Sequence, residues 1–411
     1  VNFEFFIARR IIASKDHKSS ISAPIIKIAI TAIAIGIIMM LVSIATGVGL
    51  QKKIREKVSA FNGDIVITIY DTNFSNDSQI PISKNQEFYP KFDLVEGINH
   101  IQITAMKGGV IRTATDFEGI VVKGVSDDYK WQNFEEYLVE GRLPDFSGNL
   151  KSEVLISQYL VNRLGLKLGD RIVTFFINED SAKPPRSRGF DIVGIYNSGF
   201  QQFDEQYLIA DIRHIQRLNN WEEDQIGAFE LFVDDFDEIE NIGRKVYQET
   251  ASTLDTQTIR QKYGSIFEWL DLFDFNIALI IGIMILVAGI NMITALLVLI
   301  LERTQMIGIL KALGSDDWSV RKVFIYNAMY LIGVGLFFGN LIGIGLLLIQ
   351  KYFKVFPLNP DTYYVNEAPV YLDIGYILLL NAGTFLLCLL MLLIPSWIIT
   401  RISPVKAIRF E

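Results

Sequence analysis

Four apolar runs, about Pro24 to Leu50, Asn276 to Leu301, Val323 to Gln350 and Leu372 to Thr400, constrain this chain more than any other feature. A helix needs roughly 20 apolar residues to cross about 30 Å of hydrocarbon, and each run meets that length nearly free of charge. Buried helices of a soluble domain do not require four such runs, so the expectation is four transmembrane helices. Composition agrees, with half of the residues hydrophobic, a mean hydropathy of +0.31, and the apolar residues clustered rather than spread.

Charges at the run ends set the orientation. The segment before the first run carries Arg9, Arg10, Lys15, Lys18 and Lys27, and the break between the second and third carries Arg303, Lys311, Arg321 and Lys322. The tail carries Arg401, Lys406 and Arg409. Two crossings separate each of these three segments from the next, so all three share one side, and the positive-inside rule makes it the cytoplasm. Lys52, Lys53, Arg55 and Lys57 lie on the wrong side for that rule. With Leu50, Ile54, Val58 and Phe61 at helical spacing, they read as the exposed face of a helix continuing beyond the membrane. Phe3, Phe5, Phe6, Ile7, Ile11 and Ile12, interleaved with cations, make residues 1–23 an amphipathic cytoplasmic helix ahead of the first span. The first run exceeds the usual length of a signal-peptide core and is followed by Gln51, Lys52 and Lys53, so it reads as an uncleaved anchor.

Residues 52–268 form a domain-sized polar insertion between the first two spans. Alternating patterns predict strands at Asp64–Tyr70, Ile101–Met106, Gly119–Val125, Arg171–Ile177, Phe190–Tyr196, Gln206–Ala210 and Phe229–Val233. Helical patterns fall at Asn133–Val139, Ser157–Leu164, Ile212–Asn219 and Phe236–Glu249, with Asp234 or Asp235 as a cap for the last. The order of elements divides the insertion into a membrane-proximal part (52–120 and 228–268) and an outer part (121–227). Gly165 and Gly169, between a helix and a strand, serve the backbone rather than a nucleotide. Asn178–Gly189, a long hairpin tip stiffened by Pro184 and Pro185 and carrying Lys183, Arg186 and Arg188, is a candidate surface for a partner protein.

Several chemistries are disfavoured. The chain has no P-loop sequence, so ATP hydrolysis belongs on another chain. His17, His100 and His214 fall in separate segments without ligand-like neighbours, and the acidic pairs Asp127–Asp128 and Glu222–Glu223 fit solvated surface. The expectation is a non-enzymatic chain with no bound metal or cofactor. A net charge of −8 argues against nucleic acid as partner. Cys388 is the single cysteine and lies in the last apolar run, so no disulfide forms within the chain. Apart from Asp373 at the very start of the fourth, the spans lack carboxylates, which disfavours an ion-driven transporter. Small residues at four-residue spacing, Ser43 and Gly47 in the first span and Gly335, Gly339 and Gly343 in the third, predict close helix contacts.

The run from Leu301 through Glu302, Arg303, Ile307, Gly308, Ile309, Leu310, Lys311 and Leu313 to Gly314 resembles the coupling loop of permeases of the MacB and FtsX type, especially the lipoprotein-releasing permeases LolC and LolE. Phe6, Ala8, Arg9 and Arg10 near the start, and Ser403, Pro404, Val405, Lys406, Ala407, Ile408 and Arg409 near the end, resemble the ends of the same family. Pro184 to Ile195 resembles its hook hairpin and returning strand.

The resemblance implies an α-helical membrane protein with four transmembrane helices and a large mixed α+β periplasmic domain inserted between helices 1 and 2. The segments would be 1–23 cytoplasmic helix, 24–50 first span, 51–275 periplasmic domain, 276–301 second span and 302–322 coupling loop. A third span (323–350), a short periplasmic loop (351–371), a fourth span (372–400) and a cytoplasmic tail (401–411) would follow. It further implies a permease of an inner-membrane ABC machine that extracts lipoproteins and passes them to a periplasmic carrier. Partners would be a LolD-like ATPase dimer holding ATP and magnesium, a second permease chain, identical or LolC/LolE-like, a LolA-like carrier and the lipoprotein. Glu302 and Arg303 would fix the end of helix 2, Ile307, Ile309, Leu310 and Leu313 would enter an ATPase groove, Gly314 would end the coupling helix, and Lys183 to Arg188 would receive the carrier. A MacB-like exporter and an FtsX-like signalling subunit are the alternatives; the size of the insertion and its Pro-rich hairpin favour lipoprotein handling.

Overall fold

The computed structural model describes residues 3–13, 22–71, 79–177 and 184–401. Helix α1 (Phe3–Ala13) precedes α2 (Ser22–Asn62), a single helix of 41 residues. Strands β1 (Ile65–Ile69), β2 (Ile82–Ser83), β3 (Ile98–Arg112) and β4 (Phe117–Val125) follow, then two 3-10 turns (Trp131–Asn133 and Glu135–Tyr137) and β5 (Leu138–Gly141). Next come β6 (Glu153–Ser157), α3 (Gln158–Leu164), β7 (Arg171–Phe176), β8 (Arg186–Tyr196), α4 (Gln201–Asp204) and β9 (Tyr207–Asp211). The insertion ends with α5 (Ile212–Asn219), β10 (Gln225–Ile226), β11 (Ala228–Val233), α6 (Ile239–Glu249), β12 (Leu254–Thr258) and α7 (Ile259–Lys262). The remaining helices are α8 (Gly264–Glu302), α9 (Thr304–Ala312), α10 (Asp317–Phe353), α11 (Pro360–Tyr363) and α12 (Ile374–Ser396), which runs into a 3-10 turn, Trp397–Arg401.

The chain divides into two compact units. One comprises residues 1–51, 270–357 and 367–411; the other comprises 52–269 together with 358–366. The four candidate spans, Pro24–Asn62, Gly264–Glu302, Asp317–Phe353 and Ile374–Thr400, match the four apolar runs.

In the membrane unit, Gly335, Gly339 and Gly343 face Ile33, Ile37 and Leu41 of α2. A Cβ at Gly339 would lie 2.8 Å from the Cβ of Ile37 and 2.9 Å from the Ala34 oxygen, so glycine there permits the backbones to approach. Gly47 meets Ile277 of α8 in the same way, while Ser43 is half-buried. Polar side chains also fix the helices. Asn340 of α10 and Asn381 of α12 exchange two amide hydrogen bonds of 2.6 and 3.0 Å. Helix α1 packs on α10, where Glu4 accepts from Ser319 and pairs with Lys322, and Phe5 meets Tyr326 edge-on.

The other unit is built on a sheet in the order β12-β1-β11-β3-β4-β9-β6-β8-β5, with β7 joining β3 to β8. Strand β3 is the hinge of this arrangement. Its first half pairs with β11 and its second half with β4 and β7, so the strands β3, β4, β9, β6, β8 and β7 close into a ring. The membrane-proximal and outer parts expected from the sequence thus share one continuous sheet. Local signals act as anticipated at α3: Ser157 Oγ accepts the Leu160 amide, and Gly165 ends the helix at φ 65°. Asp235 caps a 3-10 turn at 236–238 rather than α6 itself. The helix expected at 133–139 is instead the two 3-10 turns and β5, because Phe134 and Tyr137 turn into an aromatic core and leave no continuous helical face.

Candidate functional site

Helix α8 ends at Glu302, and Thr304 Oγ1 donates to the carbonyls of Leu301 and Ile300 at the break. Helix α9 closes with Gly314 at φ 96°, where the Ser315 amide reaches back to the Leu310 carbonyl at 3.0 Å. A six-to-one bond over a left-handed glycine is a Schellman stop, so Gly314 ends the short helix. Asp316 then caps α10 by accepting the amides of Trp318 and Ser319; the Ser319 side chain first, then these amides, hold its carboxyl below the usual range.

The faces of α9 differ from the sequence expectation. Ile307 is fully buried and Gly308 is buried, packed with Met306 and Leu310 among Val320, Phe324, Leu392 and Ile399. Ile307 is thus turned into the protein's own core rather than toward an external groove, while Leu310 is half-buried against the same core. Leu301, Ile309 and Leu313, at 68%, 47% and 79% exposure, form the outward apolar ridge, with Glu302 and Gln305 beside it. Lys311 also points inward. Its Nζ donates to the Ile399 carbonyl and pairs with Asp317, both at 2.7 Å. Arg303 sits at the start of α9 with its Nε enclosed and without a hydrogen-bond partner among the described residues.

At the hook, Lys183 lies outside the described residues, and Pro184 and Pro185 are exposed. The connection is shorter than 178–189, because β7 and β8 stay paired as far as Phe176 and Arg186. Arg186 and Arg188 are therefore strand residues. Arg186 donates to the carbonyls of Leu218 (2.6 Å) and Arg217 and to Asn220 Oδ1, closing the carboxyl end of α5. Arg188 lies opposite Thr174, half-exposed. Beside the prolines, Val110, Arg112, Phe117, Phe175 and Pro185 border an open depression of about 510 Å³.

A second site escaped the sequence reading. The end of α2 enters an aromatic cluster in which Phe61 stacks on Phe203 at 4.6 Å and meets Phe134 and Tyr196. Lys123 of β4, fully buried, donates to the Phe61 carbonyl and pairs with Glu230 of β11 at 2.6 Å. Glu230 also accepts from Gln102 and Thr104, and Lys262 and Tyr263 both donate to Asn62 Oδ1. Burial pulls Lys123 below the usual ammonium range, and the Glu230 carboxylate opposes that shift. Lys57, expected on an exposed face, is buried and donates to the Tyr364 carbonyl at 3.0 Å; its segment 358–366 belongs to this unit. The available signal was a lysine inside the apolar strand Ile120–Val125 and a glutamate inside Phe229–Val233. His100 and His214 bond backbone carbonyls of Asp128 and Lys151, and no His, Cys or carboxylate cluster suited to a metal occurs among the described residues.

Four candidate spans, a short helix between the second and third, and a large domain inserted after the first define a multi-pass membrane protein with one large extramembrane domain. The chain belongs to the MacB/FtsX superfamily of permeases: residues 28–260 match the MacB-like periplasmic core domain and residues 278–404 the C-terminal domain of FtsX-like permeases. It is a multi-pass inner-membrane protein whose large domain faces the periplasm. LolC of the lipoprotein-releasing system of Haemophilus influenzae is 27% identical over 71% of this chain and 72% of its own length. LolC of Neisseria meningitidis is 22% identical over the whole of both chains, and LolE of Haemophilus influenzae 22% over 99% of each. The periplasmic region of MacB from Actinobacillus actinomycetemcomitans is a more distant likeness, with a TM-score of 0.35 and 12% identity over 53% of this chain and 97% of its own.

Proposed function

We propose that this chain is the permease subunit of an ATP-driven machine that lifts lipoproteins out of the outer leaflet of the inner membrane and passes them to a periplasmic carrier. The observation that carries the reading is the outward apolar ridge formed by Ile309 on a short helix between two spans, Leu301 at the end of α8 and Leu313 just after α9, in a chain similar to LolC along its full length. An exposed apolar stripe on a short helix suits insertion into a groove of a partner, here a cytoplasmic ATPase dimer that supplies ATP and magnesium. Lipoprotein acyl chains cost about 0.8 kcal/mol per CH₂ to bring into water. With several dozen such groups, extraction needs both an energy source and a shielding acceptor. A second permease chain, identical or LolC/LolE-like, stands beside this one in the membrane. The prolines and Arg188 beside the depression at Phe117 and Phe175 are the surface offered to the carrier; Arg186 holds the strand in place.

The test is reconstitution with the cognate ATPase in proteoliposomes containing an acylated lipoprotein. Leu313→Asp, or Ile309→Pro, is expected to leave the permease in the membrane while release to a soluble carrier falls at least tenfold relative to ATP hydrolysed. Unchanged release by both variants would overturn the assignment of the ridge. Crosslinking from Arg188→Cys to a cell-wall hydrolase, rather than to an acyl-binding carrier, would favour a signalling subunit instead.

A further inference from the structure

Helix α9 is joined through the backbone to α8 and, through residues 313–316, to α10; it has no such link to α12. Two cations nevertheless reach from this loop to the carboxyl end of α12. Lys311 Nζ, on a side chain only 9% exposed, donates to the Ile399 carbonyl at 2.7 Å and is held by Asp317. Arg321, in the second turn of α10, donates through Nε and Nη2 to Ser396 Oγ at 3.2 and 3.1 Å and through Nη2 to the Leu393 carbonyl at 3.3 Å. The Arg321 guanidinium also lies 5.2 Å from the Trp318 ring centre.

The receiving end of α12 suits cations. Its last carbonyls carry the negative end of the helix dipole, and the Leu393 carbonyl also accepts from Ser396 Oγ at 2.8 Å, so Arg321 joins a hydrogen-bond set already in place there. Pro395 removes one further amide from the last turn. Between the two polar ties lies a packed core: Ile307 of α9, Val320 and Phe324 of α10, and Leu392 and Ile399 at the end of α12. Interiors of this density transmit displacement rather than absorb it.

We propose that Lys311 of the coupling helix and Arg321 at the adjoining start of α10 are positioning residues that together tie this corner to the cytoplasmic end of the fourth membrane helix, so that motion entering at α9 reaches α12 directly. The inference rests on the reading of α9 as the ATPase contact. It adds a destination for that motion: the fourth span moves with the coupling helix, in addition to the two spans continuous with it.

Hydrogen exchange on the complete complex with its ATPase, in lipid nanodiscs, tests this with and without a non-hydrolysable ATP analogue. In the wild type, exchange in 304–312 and in 393–400 is expected to change together on nucleotide binding, each at least threefold. In Lys311→Met/Arg321→Gln the response at 304–312 remains while that at 393–400 falls to less than a third of its wild-type size, and Lys311→Arg retains both. A purely structural role would raise exchange at 393–400 equally in both nucleotide states, leaving the ratio unchanged, and would overturn the proposal. So would a wild-type response confined to 304–312. No wild-type response at 304–312 would instead defeat the ATPase-contact reading itself. If the double variant does not assemble, each single variant gives the same comparison.

Discussion

Lys123→Met is the most informative single perturbation of the periplasmic unit. In the native arrangement the Lys123 side chain is 0% and that of Glu230 2% exposed, so neither charge has water to fall back on. Removing the ammonium leaves a buried carboxylate with two neutral donors, Gln102 at 2.8 Å and Thr104 at 3.3 Å, and leaves the Phe61 carbonyl without its lysine. Breaking a buried pair from one side costs about 3–5 kcal/mol. At 1.4 kcal/mol per factor of ten, local opening should become on the order of a hundred to several thousand times more frequent. The assay is amide exchange of the full-length protein in detergent micelles, read at residues 59–62 and 120–125, which the network joins. Lys123→Met/Glu230→Gln removes both charges and should recover about 2 kcal/mol or more of the loss, a coupling within the range for residues that share a network. Exchange within threefold of wild type in Lys123→Met, or a double variant no better protected than the single, would refute the argument that this pair anchors the end of α2.

Burial raises the Asp128 carboxyl to about 6, although it accepts from the Tyr89 hydroxyl and the Ile103 amide. A carboxyl raised above its unfolded value of about 3.9 binds its proton more tightly when folded, so its contribution is full below about pH 4 and is lost as pH rises through about 6. The thermal midpoint of wild type relative to Asp128→Asn should therefore fall between pH 4.5 and 7.5; a constant difference would contradict this. In the membrane, Gly339→Ala should destabilise by about 1–3 kcal/mol through overpacking, whereas Gly345→Ala, where a Cβ meets nothing within 4 Å, should be neutral; thermal midpoints in detergent compare them. Asn340→Leu should cost about 0.6–2 kcal/mol, with Asn340→Leu/Asn381→Leu less damaging than the sum of the two singles in the same measurement.

What could be read before folding divides along a physical line. Span positions, the extension of α2 past Leu50, the α3 and α5 helices and the Gly314 stop all follow from local pattern, because each depends on residues within a turn or two of one another. The glycine stripe was legible for the same reason, although its partner, the Ile33, Ile37 and Leu41 ridge, was not. The misreadings share a different cause. Ile307 and Ile309 are equally apolar and two residues apart, but two residues on a helix are about 200° apart. Periodicity identifies an amphipathic helix without saying whether its apolar face meets the chain's own core or a partner. At α9 both occur at once: Ile307 is enclosed by Val320 of the next helix and by Ile399, far away in sequence, while Ile309 and the following Leu313 stay outside. Lysines pose the same difficulty more sharply. Lys57 and Lys311 read as solvated or partner-binding charges, and Lys123 goes unremarked, until the carbonyls of Tyr364, Ile399 and Phe61 come into range; those acceptors lie 307, 88 and 62 residues away. A buried lysine is tolerable only with such acceptors or a counter-ion in place. Each of the three thus marks a joint at which distant segments must meet: one at the 358–366 segment, one at the end of α2, and one between the coupling helix and the last span.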